Sequence, residues 1–275
     1  IFSWDNLPKA RLAVSTDLYL VWSQWMKDEM KDYYPEIHEK NVKLVGTPQF
    51  EFYLDENKVI SRQRFGEKHG LDLDKKWICF SGDDITTSPY DHLFLRDLAV
   101  SLNDQKDDLQ IIFRRCPVDL SQRYDEVLNE YNNLIVSIDP IWNIESQTGW
   151  VGFFPKYEDI LMQVNLSYHC DMVINFGSTM AFDFAINNKP CLYLNYNPSK
   201  DIRWNTNTIY NFQHFRSMKG LNAVGWINGR DQILKTVLKT LKTPNEIAPD
   251  RKKWMETIVL HPLDTNSQNI ASAIL

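Results

Sequence analysis

The 275-residue sequence has only ten glycines, and they form none of the phosphate-binding patterns of common nucleotide enzymes. Neither GxxxxGK(S/T) nor GxGxxG occurs, which argues against a P-loop or dinucleotide-binding enzyme. The six histidines include no pair at metal-ligand spacing. The four cysteines contain no CxxC pair, so we expect neither a zinc site nor a disulfide framework, and a reducing compartment is favoured.

Positive charge and long apolar runs are also scarce. The formal net charge is -6, whereas a general nucleic-acid surface needs a concentrated basic face. No apolar run approaches the roughly 20 residues of a membrane-spanning helix, and no signal peptide is visible. The sequence starts at Ile1 without an initiator methionine, so we expect that an upstream portion is missing.

Aromatic residues are abundant, with nine Trp, twelve Tyr and fourteen Phe, and they predict a globular protein. From residue 76, apolar runs alternate with helical patterns, which predicts an α/β fold with a Rossmann-type parallel sheet and helices on both faces. We predict strands at 77–80, 109–113, 134–138, 172–174, 191–194 and 223–227. We predict helices at 90–102, 120–131, 158–168, 180–187, 230–241, 251–258 and 267–274.

The first 54 residues read as the end of a separate α/β unit. Strands are predicted at 17–22 and 42–45, with a helix at 23–34 capped by Ser23. Residues 47–57 read as a hinge, followed by a helix at 58–69 that Gly70 ends. We therefore predict two domains, residues 1–54 and 55–275.

The stretch 171–194 carries the strongest functional pattern, because a strand, a tight turn, a helix and a second strand follow in succession. In a parallel sheet such a turn lies at the carboxyl ends of the strands, where ligands bind. Gly177 would let a phosphate approach the backbone, and the Ser178 and Thr179 hydroxyls could donate to it. Asp183, about one helical turn on, could accept hydrogen bonds from sugar hydroxyls. The structural alternative is a capping serine with a solvated Asp183.

Other stretches give weaker signals. Gly82 follows a predicted strand and would allow close approach of a ligand to the backbone. Asp72-Leu73-Asp74 matches a metal-binding DxD pattern but precedes a strand, so we interpret it as a solvated turn. The aromatic residues at 150, 153 and 154 could face a nucleobase or belong to the core.

The string GSTMAFDFAINNKP resembles the signature (S/G)-S-T-x-x-x-E-x-A-x-x-x-x-K-P of GT-B glycosyltransferases and of the similar UDP-N-acetylglucosamine 2-epimerases. Asp183 stands where Glu is usual. The segment containing Arg114 resembles the R-x-(H)-P element of glycosyltransferases and of glycerophosphotransferases that build teichoic acid, with Cys116 in the frequent His position. SWDNLPKARL and VGTPQF resemble bacterial surface-polysaccharide glycosyltransferases. The resemblance covers nearly the whole chain through short motifs.

The resemblance implies roles for individual residues. Gly177, Ser178 and Thr179 would hold the donor diphosphate, and Asp183 would hold the ribose. Arg114 suits a diphosphate because its fork of donors binds oxygens in pairs; a surface ion pair is the alternative. His214 would contact the donor, or cap a turn. Asp5 would be the catalytic base and Asn6 would face the acceptor, unless the two simply form a turn.

The function implied is transfer of a sugar from a nucleotide-sugar, most simply a UDP-sugar, to a glycan, polysaccharide or lipid-linked acceptor. We expect no metal and no further cofactor. We also expect no nucleic-acid partner and no transmembrane segment. The location would be cytoplasmic, either free or peripherally bound at the inner face of the cell membrane. There are three alternatives: a close relative that moves glycerol phosphate, a nucleotide-sugar 2-epimerase, and a non-catalytic nucleotide-sugar-binding protein. The truncated form could also behave as the last of these.

Overall fold

Ten strands form three sheets in the computed structural model, which describes residues 16–145, 152–201 and 203–275. In chain order the strands are β1 (Tyr19–Val21), β2 (Val42–Leu44), β3 (Lys76–Ser81), β4 (Leu109–Arg114), β5 (Ile135–Ser137), β6 (Trp142–Ile144), β7 (Phe153–Pro155), β8 (Met172–Asn175), β9 (Cys191–Leu194) and β10 (Gly225–Ile227).

The central sheet has six parallel strands in the order β10-β9-β8-β3-β4-β5. The chain builds this sheet outward from β3 in one direction, through β4 and β5. It then returns to the other side of β3 and builds through β8, β9 and β10. In open α/β sheets such a reversal marks the place where ligands bind, at the carboxyl ends of the two strands on either side of it. Here these strands are β3 and β8, and we call this edge of the sheet the crevice.

Burial explains why these segments are strands. All six residues of β4 and all four residues of both β8 and β9 are buried. A parallel sheet covered on both faces selects such continuous apolar runs. All six predicted central strands are confirmed, with ends that differ by at most two residues. Phe153 is buried and Phe154 is 47% exposed, while residue 150 lies outside the described residues.

Ten α-helices surround the sheets within the described residues. They are α1 (Gln24–Tyr33), α2 (Arg62–His69), α3 (Asp91–Leu102), α4 (Asp125–Glu130), α5 (Tyr157–His169), α6 (Met180–Ile186), α7 (Thr206–Tyr210), α8 (Ile233–Lys242), α9 (Arg251–Ile258) and α10 (Asn266–Ile274). None of the described helices is long and apolar enough to cross a membrane.

Capping interactions decide where several helices begin. The Ser23 hydroxyl accepts from the Met26 amide at 3.3 Å, which confirms the predicted cap of α1. The predicted helix 58–69 is too long, because Ser61 caps α2 through the Arg64 amide. The predicted helix 120–131 is also too long, because the Asp119 carboxylate binds the Ser121 amide and hydroxyl in a loop before α4.

The first strands and the last helix meet at the segment that links β2 to the central sheet. β1 and β2 are parallel, and a 3₁₀ helix, Pro48–Leu54, follows them. Asn266, at the start of α10, donates to the Thr47 carbonyl at 3.1 Å. A Cβ on Gly46, whose φ is +77°, would lie 2.1 Å from the Asn266 amide oxygen, so only glycine fits. The domain boundary after residue 54 stays a prediction.

Replacing Phe182 should test how firmly α6 is held. The ring is fully buried and packs 4.5 Å from the Trp254 ring of α9, centroid to centroid. Phe182→Ala should lower the free energy of unfolding by about 3–5 kcal/mol, because it leaves a cavity in the core. Leu238→Ala, at a 39% exposed position of α8, is the control and should cost far less. Equal losses in urea denaturation would contradict this packing.

Candidate functional site

The turn after β8 lies at the crevice and has a backbone that requires glycine. Gly177 has φ +75°, and a Cβ there would approach Phe215 Cζ to 2.8 Å. Left-handed conformation and close packing both exclude larger residues. The same contact places the segment around Phe215 against the turn.

Ser178 and Asn175 fix the shape of this turn. The Ser178 amide donates to Asn175 Oδ1 at 2.9 Å, and the Met180 amide donates to the Ser178 hydroxyl oxygen at 3.3 Å. The Tyr193 hydroxyl donates to the Ser178 carbonyl at 3.1 Å. The Ser178 hydroxyl therefore accepts from the first amide of α6, while its own proton remains able to donate to a ligand.

Two backbone amides of the turn are left for a ligand. Among the described residues, none accepts a hydrogen bond from the Gly177 or Thr179 amide. Gly177 is half-buried and Thr179 is exposed. Since α6 has only seven residues, these amides and the Ser178 hydroxyl, rather than a helix dipole, are what the turn offers an anion.

Asp183, the predicted ribose acceptor, is buried on α6 with 8% of its surface exposed. The Tyr53 hydroxyl, from the Pro48–Leu54 segment, donates to Asp183 Oδ1. Burial raises the pKa of Asp183 to about 6, against the lowering effect of hydrogen bonds from Tyr53 and Gln163. The alternative of a solvated Asp183 is therefore wrong, although contact with a ribose stays a prediction.

Arg114, the predicted diphosphate ligand, is buried at the end of β4 and paired inside the protein. Its Nη2 atom lies 2.7 and 2.8 Å from the two carboxylate oxygens of Asp159. Asp159 also accepts from the Ile141 amide at 2.7 Å and from Trp142 Nε1 at 2.6 Å. The ion pair is buried rather than at the surface, and it ties β4 to the β6 strand and α5. Donor binding by Arg114 stays a prediction.

The neighbouring Arg115 faces an open cavity that the sequence did not reveal. The cavity has a volume of about 340 Å³ and lies between the loops after β4 and β5. Trp142 and Ile144 of the β6-β7 hairpin line one side, and Asp139 also lines it. Arg115 Nη1 donates to the Ser121 carbonyl at 2.6 Å, and its guanidinium lies 5.2 Å from the Tyr124 ring centroid.

Gly82 is buried at the end of β3 and its amide is already used. The amide donates to the Arg114 carbonyl at 2.8 Å, and an added Cβ would lie 3.2 Å from both the Phe113 ring and the Tyr124 hydroxyl. The structure thus gives Gly82 a packing reason, and its donor-binding role stays a prediction.

A buried polar network holds the loop after Gly82. Asp91 is fully buried and accepts from the Tyr124 hydroxyl at 2.8 Å, the Ser88 hydroxyl at 3.1 Å and the Asp83 amide at 3.2 Å. Burial raises the pKa of Asp91 to about 6. Arg123 donates to the Asp83 carbonyl at 2.7 Å and pairs with Asp119 at 2.7 Å. These bonds stiffen one wall of the crevice.

The remaining residues singled out from the sequence are Asp5, Asn6, His214 and Cys116. Asp5 and Asn6 lie outside the described residues. His214 belongs to the 3₁₀ helix Gln213–Met218, beside Phe215, but its side chain is not among those described. Cys116 is buried with a free thiol. No group of His, Cys, Asp and Glu residues in the described ranges is arranged to hold a metal ion.

Comparison of the fold with solved structures gives clear matches. The wall teichoic acid polymerase TagF aligns with a TM-score of 0.56 at 16% identity, covering 94% of this chain and 56% of TagF. A putative UDP-N-acetylglucosamine 2-epimerase from Listeria monocytogenes gives a TM-score of 0.59 at 11% identity, with coverages of 94% and 59%. MnaA from S. aureus, solved with UDP, gives 0.59 at 14% identity, with coverages of 94% and 60%.

The chain shares part of the GT-B fold. The predicted resemblance to teichoic-acid enzymes and to 2-epimerases is confirmed for the fold, and the chain spans about 56–60% of the length of these three proteins. No protein-family model matches the sequence, and no curated protein matches it.

The pH dependence of stability should report the burial of Asp183. With its pKa raised to about 6, the folded protein binds more protons than the unfolded chain between pH 4 and 6, so this group's contribution to stability falls as pH rises through that window. When the pH is raised from 4 to 7, the free energy of unfolding of Asp183→Asn should therefore rise by about 2 kcal/mol relative to that of the wild type. Urea denaturation at both values measures this, and a constant difference would contradict it.

Proposed function

We propose that this chain is the donor-binding part of a glycosyltransferase that takes a sugar from a nucleoside-diphosphate sugar. The observation that carries the proposal is the pair of amides without an acceptor in the described chain, Gly177 and Thr179, at the reversal point of the sheet. A diphosphate is the natural ligand there, because its oxygens accept from backbone amides in such turns.

The donor's other parts would extend from this turn in two directions. Asp183, one helical turn into α6, would accept from the ribose hydroxyls. The nearby segment Gln213–Met218 carries His214, which would contact the phosphates or the sugar. We keep Arg114 as a candidate only if its pair with Asp159 opens, since a guanidinium already neutralised by a carboxylate adds little attraction for phosphate.

The proposed reaction breaks the bond between the anomeric carbon and the diphosphate oxygen, and that oxygen leaves with the electron pair. The anomeric carbon forms a new bond to an acceptor hydroxyl, whose proton passes to a base. Turn amides and the Ser178 hydroxyl, fixed before the reaction, would stabilise the departing charge without a metal. Asp5 remains the candidate base.

The acceptor and the location are wider parts of the same proposal. A glycan or lipid-linked acceptor and a cytoplasmic position, free or at the inner membrane face, rest on the resemblance to surface-polysaccharide enzymes. A UDP-sugar is the first donor to test, and CDP derivatives follow because one TagF structure was solved with CDPG.

Nucleotide binding is the direct test, with a thermal-shift panel of UDP, GDP, CMP and CDP derivatives. One nucleoside diphosphate should raise the melting temperature of the wild type. Thr179→Pro removes one amide that no described residue uses, at a position whose φ of -62° suits proline. It should weaken binding by about ten- to a hundredfold, the usual value of a hydrogen bond to a charged group.

Lys252→Pro, at an exposed position in the first turn of α9, is the matched control and should bind as the wild type does. Ser178→Ala provides a second variant should Thr179→Pro not fold. If no nucleotide stabilises the wild type, or if Thr179→Pro and Ser178→Ala bind with unchanged affinity, the proposal is wrong. If the protein forms an epimer of the donor sugar when no acceptor is present, it is an epimerase and not a glycosyltransferase.

A further inference from the structure

The hydrogen bond between Tyr53 and Asp183 joins two parts of the chain that are 130 residues apart. Tyr53 belongs to the segment Pro48–Leu54, which links β2 to the central sheet, and Asp183 belongs to α6 at the crevice. The sequence predicted the first as a hinge and the second as a ribose ligand. Their contact therefore connects the linking segment to the donor site.

The linking segment is itself anchored on both sides. Phe50 is fully buried and packs edge-on against Trp22, with centroids 6.2 Å apart. Glu51 accepts from the Ser267 hydroxyl at 2.7 Å and from the Ser267 amide, at the start of α10. A displacement of Tyr53 would consequently disturb the contacts of this segment with the β1-β2 unit and with the last helix.

Asp183 is largely covered while Tyr53 is in place. Only 8% of its surface is exposed, and its Oδ1 atom accepts from the Tyr53 hydroxyl. A sugar hydroxyl that binds this oxygen along the same direction would have to take the place of the tyrosine hydroxyl. The two donors can replace each other, since each is a neutral O–H that donates to a carboxylate.

We propose that Tyr53 competes with the ribose of the donor for Asp183, and so sets both donor affinity and the preference for a ribose over a sugar without the 2′ and 3′ hydroxyls. The inference rests on the proposed function. When a ribose enters, its hydroxyls replace the Tyr53 hydroxyl on the carboxylate and release the Pro48–Leu54 segment from α6. A nucleotide without these hydroxyls has nothing with which to replace it.

Calorimetric titration of UDP and CDP at pH 8 tests the competition, because Asp183 with a pKa of about 6 is ionised there. Tyr53→Phe removes the competing hydroxyl and keeps the ring. It should lower the dissociation constant of the nucleotide that the wild type binds by roughly tenfold, the equivalent of one modest hydrogen bond to a charged group. The 2′,3′-dideoxy analogues should gain nothing from the same substitution.

Tyr157→Phe is the matched control, because Tyr157 also contacts the linking segment, through Phe52, but is 52% exposed. It should leave every dissociation constant unchanged. Tyr53→Phe with wild-type or weaker affinity for UDP and CDP would overturn the inference, as would an equal gain for the dideoxy analogues.

Hydrogen exchange on the wild type gives a second measurement that needs no variant. The bound nucleotide should speed amide exchange in residues 49–54, and unchanged or slower exchange would contradict the release of this segment.

The two proposals fail in different ways. If wild type and variants bind neither UDP nor CDP, the proposed function fails and the inference falls with it. If they bind with equal affinity, only the competition is refuted.

Discussion

The parallel pairing of β3 with β8 is the constraint on which the rest of the structure depends. Ile78 to Ser81 pair with Met172 to Asn175 in the centre of the sheet. The chain builds outward from this pair in opposite directions, and in open α/β sheets ligands bind at such a reversal point. The strand order therefore places the turn at Gly177 and the loop after Gly82 at the same edge of the sheet.

The polar groups around the crevice bind mostly to one another. Arg114 is paired with Asp159, Asp183 with Tyr53, and Asp91 with Tyr124. Such satisfied networks hold loops rigid, and each unpaired buried charge would cost several kcal/mol (about 3–5 when one partner is removed). At the Gly177 turn, two amides have no partner in the described chain. A ligand bound to them would gain hydrogen bonds without breaking any.

The sequence predicted the central sheet well because its strands are buried on both faces and read as unbroken apolar runs. The Gly177 turn was predictable for a related reason: a glycine between a strand and a helix indicates a special backbone conformation. Helix starts were less predictable where a side chain binds backbone amides outside the helix, as the Asp119 carboxylate binds the Ser121 amide before α4. The β6-β7 hairpin was missed because its strands are mostly exposed and show no buried apolar run.

The partners of the site residues were beyond the reach of sequence patterns. Nothing near Arg114 indicates Asp159, which is 45 residues away, and nothing near Asp183 indicates Tyr53. These contacts arise from tertiary packing, and they change the expected roles. Arg114 is half of a buried ion pair and Asp183 accepts from the linking segment, while their roles in donor binding stay predictions.

A crystal structure of this chain with the nucleoside diphosphate it binds best would test the central claim most directly. The account predicts phosphate oxygens within hydrogen-bond distance of the Gly177 and Thr179 amides. It would be contradicted by a nucleotide bound elsewhere, or by amides at this turn that remain in contact with water alone.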